Sequence, residues 1–374
     1  MPTQKTLSKP LHIGIDANEA NQDIRVGVGQ YAYNILKELE KLDHHNHYYI
    51  YLKSLPKKDF PKARQNWNYL VFGPQKLWTK IALPLKLFSQ KQKLSFFYTP
   101  AHYSPHFSPF PTIPTIHDLG YLHTQEQFTK KDIHQLVHWT KRSLDQATHI
   151  ATVSQFSKNE LKRIYHIPDE KISLVYNGID TNIKINTKGI PKTLKKFKIT
   201  KPYFLYLGTL KPNKNIPLIL KAFKDFLKTD QSHQLVIAGK KGWLFDEIFQ
   251  TTKDLKLKDQ VIFTDYISEE EKWQLYSKAT CSLLPSTYEG FGIPALESML
   301  VNTPIIASNI PPLKEVIQEK GLFINPHKKE ELTNAMHQMV KNRQKYQKGL
   351  IAQAKKFTWK NSAKQLMDIF STFH

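Results

Sequence analysis

Cysteine is almost missing from this chain: Cys281 is the only one in 374 residues. A single thiol excludes an intramolecular disulfide and a multi-cysteine metal site, and its apolar setting, Cys281-Ser-Leu-Leu284, is that of a buried strand residue in a reduced compartment. Long apolar runs are missing too. No stretch reaches the roughly 18 consecutive apolar residues of a membrane-spanning helix, so membrane contact is expected to be peripheral at most. Residues 1–10 are polar and basic and lack the apolar core of a secretory signal, which with the lone thiol points to a cytoplasmic protein. The chain also has no Walker A sequence, no Asp-x-Asp pair of the kind that holds a divalent cation, and no internal repeat or long low-complexity tract.

Acidic residues are scarce in one region in particular. Lys and Arg number 54 against 32 Asp and Glu, a formal charge of +22, and residues 60–117 hold no acid at all while carrying Lys62, Arg64, Lys76, Lys80, Lys86, Lys91 and Lys93. Such an imbalance attracts an anionic surface. Within it, Leu77-Trp-Thr-Lys-Ile-Ala-Leu-Pro-Leu-Lys-Leu-Phe88 alternates apolar and basic positions at nearly helical spacing, with Pro84 expected to break or kink the helix. Two readings stand level: a helix lying on the acidic inner leaflet of the cell membrane, or a core-packing helix with a basic outer face. Nucleic acid is a further anionic candidate, given the aromatics Phe96, Phe97, Tyr98 and Tyr103. It leaves the glutamate motif described below without a purpose, so no nucleic-acid partner is expected.

Histidines do not make a convincing metal centre. His134-Gln-Leu-Val-His138 has the i, i+4 spacing of a zinc-binding helix but offers Gln135 where a general-base glutamate is needed, and His44, His45 and His47 read as a solvated turn. No metal ligands are assigned.

Strand-like apolar runs alternate with longer helical patterns along the whole chain, the pattern of parallel α/β construction, and the length suits two domains. In the first half, strands are expected at 11–16, 48–52, 114–117 and 150–153, with helices over 30–41 and 131–146. Residues 181–200 lack sustained periodicity and read as an interdomain linker. Beyond it, strands are expected at 203–207, 234–238, 261–263 and 281–284. Helices are expected at 216–227, 269–278, after Pro294, over 328–348 and over 360–370.

The densest chemistry lies in Pro285-Ser-Thr-Tyr-Glu-Gly-Phe-Gly-Ile-Pro-Ala-Leu-Glu-Ser-Met299, where Glu289 and Glu297 flank a glycine-rich turn that opens a helix. Gly290 and Gly292 let backbone approach a ligand, Pro294 suits a first helical position, and the helix start presents N–H groups and the positive end of its dipole to a diphosphate. The two carboxylates are suited to accept hydrogen bonds from sugar hydroxyls.

This segment resembles the Glu-x7-Glu signature of retaining glycosyltransferases of the GT-B fold, family 4, a group that includes mannosyltransferases. Further blocks resemble that family in order and spacing: His12-Ile-Gly-Ile-Asp16, Gly27-Val-Gly-Gln-Tyr31, Thr115-Ile-His-Asp-Leu119, Thr152-Val-Ser-Gln-Phe-Ser157, Val175-Tyr-Asn-Gly-Ile-Asp180, Tyr206-Leu-Gly-Thr-Leu210, Lys214-Asn215, Leu235-Val-Ile-Ala-Gly239 and Phe357-Thr-Trp-Lys360. The resemblance runs from about residue 11 to the C-terminus. It implies an α/β protein of two doubly wound, Rossmann-like domains facing a central cleft. The first would span 1–180 on the acceptor side, the second 201–356 on the nucleotide-sugar side, and the last helix, within 357–374, would pack back on the first.

The resemblance also implies roles. Lys214 would neutralise the departing diphosphate, Glu289 and the backbone of Gly290, Phe291, Gly292 and Ile293 would hold the transferred sugar and the phosphates, and Glu297 would hold the ribose hydroxyls. His117 would contact a hydroxyl of the donor sugar, with Asp118 either orienting it or capping the next loop. Gly27 and Gly29 would bring N–H groups to the diphosphate; without a third glycine they equally suit a tight loop that packs a strand on a helix. This chain has Asn213 and Thr209 where some relatives carry arginine, so its cationic clamp would be thinner. The implied reaction moves a hexose, of mannose or glucose type, from a GDP- or UDP-sugar to a glycan or lipid-linked acceptor, in polysaccharide biosynthesis for the cell envelope, with no metal or other cofactor. A sugar-nucleotide epimerase or a phosphorylase on the same fold is the enzyme alternative.

Overall fold

The computed structural model describes residues 9–125 and 129–374, so the polar start of the chain, residues 1–8, lies outside the description. The described residues divide into two compact units, one of 9–122, 129–178 and 359–374 and one of 123–125 and 179–358.

The first unit is a seven-stranded parallel sheet with helices. Its strands are β1 (His12–Asp16), β2 (His47–Leu52), β3 (Trp67–Val71), β4 (Phe96–Thr99), β5 (Thr112–Ile116), β6 (Ile150–Thr152) and β7 (Ile172–Leu174), in the spatial order β3-β2-β1-β4-β5-β6-β7. Central strands of such a sheet are covered on both faces and read as unbroken apolar runs, as Phe96-Phe-Tyr-Thr99 does with all four residues buried. Ile13 of β1 lies opposite Tyr48 of β2 on one side and Phe96 of β4 on the other. The chain therefore turns in opposite directions from β1, and the crevice between the ends of β1 and β4 is where an open α/β sheet takes its ligand.

Helix Val28–Leu42 buries Tyr31, Ala32, Ile35, Leu36 and Leu39, an apolar stripe at three- and four-residue intervals. The last helix, Trp359–Ser371, packs in this first unit: Trp359 meets Tyr31 edge-on at 6.1 Å, and Phe370 lies 4.8 Å from Phe96. From Trp78 to Phe88 the chain is helical without a break, and Leu77 precedes it with a left-handed backbone, φ +58°. A π-helical turn, Trp78–Ala82, runs into helix Leu83–Ser89, whose first turn holds Pro84, where a missing N–H costs little. Trp78, Ala82, Leu83 and Leu87 are buried, while Leu77, Ile81, Leu85 and Phe88 are exposed. The segment thus packs one face in the core and exposes Lys80 on the other, as the second of the two readings expected.

The second unit has six parallel strands: β8 (Tyr203–Leu207), β9 (Gln234–Ala238), β10 (Val261–Asp265), β11 (Cys281–Leu284), β12 (Ile305–Ser308) and β13 (Leu322–Ile324), ordered β10-β9-β8-β11-β12-β13. Its direction reverses between β8 and β11. Cys281 is buried in β11, and burial pushes its thiol pKa up.

Residues 181–200 are not a linker. They contain a short turn, Thr187–Gly189, and helix Ile190–Lys196, and Thr193 Oγ1 donates to Gln274 Oε1 at 2.6 Å on helix Glu269–Lys278 of the same unit. The second unit opens at Ile179, whose N–H donates to Phe357 O, rather than at 201. Seven residues with a proline in the first turn are too few for helical periodicity to show. The histidine cluster is also only partly a turn: His44 and His45 are exposed in one, but His47 opens β2 and stacks on His12 at 5.0 Å.

Candidate active site

In the second unit, the loops that follow β8 and β11 leave adjacent strands on either side of the reversal and are joined by hydrogen bonds. Thr287 N–H donates to Asn213 O (2.9 Å), Asn213 Nδ2 to Tyr288 O (3.2 Å), and Asn215 Nδ2 to Pro285 O (3.1 Å) and Pro326 O (2.7 Å). Asn215 holds a left-handed backbone, φ +56°, a conformation asparagine tolerates better than most residues, and it starts helix Ile216–Phe226. The result places Lys214 Nζ 2.6 Å from Glu289 Oε1, with the side chains only 17% and 10% exposed. Ser286 Oγ donates to the same oxygen at 2.7 Å. Glu289 is thus a carboxylate fixed through one oxygen, and Lys214 a cation held at a strand end.

Gly292 takes φ +107°, and a Cβ there would come 2.6 Å from Leu313 Cδ2, so only glycine fits without rearrangement. It starts helix Ile293–Leu300. Pro294 has no N–H and Ala295 N–H already donates to Gly292 O, which leaves Ile293 N–H as the backbone donor at this helix start. Gly290 precedes the turn. The Phe291 ring is buried and lies edge-on to Phe357 at 5.6 Å, so this residue can offer a ligand only its backbone.

Glu297 lies on the same helix, beyond the first turn, with Oε1 2.7 Å from Lys272 Nζ and Oε2 3.4 Å from Tyr276 OH. Burial works against the Lys272 charge, but Glu297 and Glu269 outweigh it and raise its pKa. Thr209 sits in the turn after β8, where its carbonyl accepts from Tyr206 OH at 3.1 Å. That turn lies against the β9 end, with Leu210 N–H donating to Lys240 O and Gly242 N–H to Leu210 O.

In the first unit, His117 follows β5. Its Nε2 lies 2.9 Å from Pro100 O, so that nitrogen carries the proton and Nδ1 remains an acceptor. Burial, then the facing His102 ring, push its pKa down to about 4, against the opposing pull of Pro100 O and Asp118. Asp118 does not orient His117; its carboxylate accepts from Gly120 N–H at 2.8 Å and caps the loop. Gly27 begins helix Val28–Leu42 at φ +48° with open space around a would-be Cβ. Gly29 is different. Its N–H donates to Val26 O, and a Cβ would meet Glu19 O at 2.9 Å, so it serves the tight loop and has no N–H to offer a phosphate.

Lys272, Tyr276, Ser286 and Asp16 were not singled out from the sequence. Asp16 ends β1 at the first unit's reversal. Although part of its side chain reaches solvent, enclosure by protein pushes its pKa up to about 6 in spite of two hydrogen bonds from Asn18, at 2.7 Å and 3.1 Å. Among the described residues, no three His, Cys, Asp or Glu side chains are grouped as metal ligands, and His134 and His138 stack on each other at 6.3 Å. Nor is any helix long and apolar enough to cross a membrane.

A cation paired with an anchored carboxylate, beside a glycine turn at a strand-end crevice, is suited to a ligand that joins a phosphate to a polyol. The domain family described as Glycosyltransferase Family 4 matches residues 26–183, and the one described as Glycosyl transferases group 1 matches 190–357. The O-antigen chain mannosyltransferase B of Escherichia coli is 27% identical over 92% of this chain and 95% of its own length. The O-antigen chain mannosyltransferase RfbU of Salmonella typhimurium is 33% identical over 57% and 56%. Among solved structures, Anabaena Alr3699/HepE in complex with UDP and glucose superimposes with a TM-score of 0.75 at 17% identity, over 96% of this chain and 99% of that one.

Proposed function

This chain belongs to the glycosyltransferases of family 4 and group 1 and has their GT-B fold, and from that premise we propose that it moves a hexose, with retention and without a metal ion, from a nucleoside diphosphate sugar to a hydroxyl of a glycan or lipid-linked acceptor. The mannosyltransferase relatives favour a GDP- or UDP-linked hexose of mannose or glucose type.

The observation that carries this reading is the Lys214–Glu289 pair at the β8/β11 reversal. As the bond from the anomeric carbon to the phosphate oxygen breaks, negative charge grows on the diphosphate, and Lys214 Nζ is the cation at hand to stabilise it. Glu289 accepts from hydroxyls of the transferred sugar, the turn through Gly290, Phe291, Gly292 and Ile293 contributes backbone, and Glu297 accepts from the ribose. His117 Nδ1 accepts from a sugar hydroxyl, and Gly27 leaves room for a phosphate near the helix it begins. The acceptor hydroxyl attacks from the face the phosphate leaves, and the phosphate oxygen takes its proton. No side chain acts as nucleophile; the protein positions the reactants and stabilises charge.

The proposed reaction runs in the cytoplasm at an anionic membrane face, a reading supported by the exposure of Leu77, Ile81, Leu85 and Phe88 next to Lys76, Lys80 and Lys86. The test is transfer by purified protein in EDTA from GDP-mannose or UDP-glucose, with the anomeric configuration of the product read by NMR. Inverted product, or dependence on added metal, contradicts the proposal.

A further inference from the structure

Two histidines lace together the loops that leave β4 and β5 in the first unit. His117, after β5, donates from Nε2 to Pro100 O on the loop after β4 at 2.9 Å, and His102, on that loop, donates from Nε2 to Asp118 O on the loop after β5 at 2.7 Å. A carbonyl oxygen only accepts, so both imidazoles carry a proton on Nε2. Each loop therefore supplies the donor for the other loop's carbonyl. The two rings stack with centroids 6.0 Å apart, 28° from parallel.

The loop after β4 depends on that tie. Among the described residues, no backbone–backbone hydrogen bond reaches 101–103, and the far end of the loop is held elsewhere, by Ser104 N–H donating to Ser143 Oγ at 3.0 Å and His106 N–H to Thr79 O at 2.9 Å. A segment without backbone pairing of its own is placed by its side-chain bonds. His102 is thus what sets Pro100 O against His117 Nε2. Tyr31, from the helix after β1, stands edge-on to the His117 ring at 4.8 Å and helps to enclose it. With Nε2 engaged by Pro100, Nδ1 is the His117 atom left to accept from a ligand. Burial, and after it the facing His102 ring, work against a second proton that would turn Nδ1 into a donor.

We propose that His102 is a positioning residue for the transfer: its bond to Asp118 O fixes the loop after β4, so that Pro100 O holds His117 in the Nε2–H tautomer with Nδ1 free to accept a hydroxyl of the donor sugar. The inference rests on the glycosyltransferase reading, in which His117 meets that sugar, and adds to it a residue that acts through His117 rather than on the substrate. The tautomer of a histidine is set by the hydrogen bond its other nitrogen makes. In the opposite tautomer Nδ1 would carry the proton and could no longer accept, and Pro100 O would lose its donor.

Imidazole nitrogen NMR of the full chain, with the His117 signals assigned through His117→Gln, reads the tautomer without any substrate. The parent should show His117 protonated on Nε2. His102→Gln, whose amide can still donate to Asp118 O, should keep that signature, and His102→Phe, which keeps a ring but no donor, should show mixed tautomers. In transfer assays kcat/KM should fall at least about tenfold in His102→Phe and no more than about threefold in His102→Gln. The loss from His102→Phe should nearly vanish when it is made in His117→Asn, because both changes act on one contact. Where His102→Phe does not fold, His102→Asn, whose shorter side chain ends short of Asp118 O, takes its place. An unchanged tautomer in the disrupted variant, or losses that add in the double variant, overturns the proposal. A parent that transfers from no nucleotide sugar removes the transferase reading and leaves the NMR to decide whether His102 orients His117; transfer by the parent with the tautomer unchanged in the disrupted variant removes the His102 assignment alone.

Discussion

Lys214 Nζ and Glu289 Oε1 are 2.6 Å apart, although they stand 75 positions apart in the sequence, with three helices and the strands β9, β10 and β11 between them. They meet because β8 and β11 are neighbours at the point where the strand order reverses, so the loops leaving both strands end in the same crevice. The pair is ready for a ligand that offers an anion to the lysine and hydroxyls to the carboxylate.

Lys214→Ala and Glu289→Gln should each lower kcat/KM for transfer at least about tenfold, roughly 1.4 kcal/mol of transition-state stabilisation. Removing the lysine also leaves a mostly buried carboxylate unpaired, a penalty of about 1–3 kcal/mol that should appear as a lower Tm for Lys214→Ala than for Glu289→Gln. Steady-state kinetics with thermal melts of both variants check this; turnover near that of the parent in both would remove the assignment.

Glu297 is expected to bind the same donor groups in ground and transition states, so Glu297→Gln should raise the donor KM several-fold with a smaller change in kcat. Lys272→Met should act in the same direction, because it releases the carboxylate that Lys272 holds at 2.7 Å. A fall in kcat at constant KM would assign Glu297 to the chemical step instead.

His117 makes stability depend on pH. Its folded pKa of about 4 lies below the 6.5 of an ordinary histidine, so the unfolded chain binds more protons between these values. The stabilisation is full above about pH 6.5 and is lost as pH falls toward 4, with a size on the order of 1–3 kcal/mol. Denaturant unfolding of the parent and of His117→Asn from pH 4 to 7 should show a shallower loss on acidification in the variant. Parallel curves would place the titration elsewhere.

Gly292→Ala should lower stability by about 1–3 kcal/mol, since it combines a positive φ with a Cβ 2.6 Å from Leu313 Cδ2. Thermal melts read the cost, and donor titration should show weakened binding because the strained turn carries the start of helix Ile293–Leu300. An unchanged Tm would mean that the turn adjusts freely.

Strands such as Tyr203–Leu207, Gln234–Ala238 and Cys281–Leu284 were legible with their full bounds because buried parallel strands are continuous apolar runs. Edge strand β3 (Trp67–Val71) mixes polar and apolar residues, and β13 (Leu322–Ile324) has only three, so neither stands out as a run. Helix Ile190–Lys196 was hidden by its shortness. At the site, Glu289, Gly292 and Glu297 stand together in one segment, and Ser286, three residues before Glu289, belonged to the same segment and was readable there. Lys272 was not, because it reaches Glu297 only through the packing of helix Glu269–Lys278. Gly29 shows the converse: its glycine is readable, but whether it serves a ligand or a packed loop depends on a hydrogen bond to Val26 that only the fold supplies.

The most direct test of the Lys214–Glu289 site as a metal-free donor site is thermal unfolding of the parent and of Lys214→Ala in EDTA with GDP-, UDP-, ADP- and TDP-sugars. A donor at a hundred times its Kd should stabilise the parent by about 2.7 kcal/mol. Tm should rise with one nucleotide class in the parent and much less in Lys214→Ala. An absence of any shift in the parent, or an equal shift in both proteins, would contradict it.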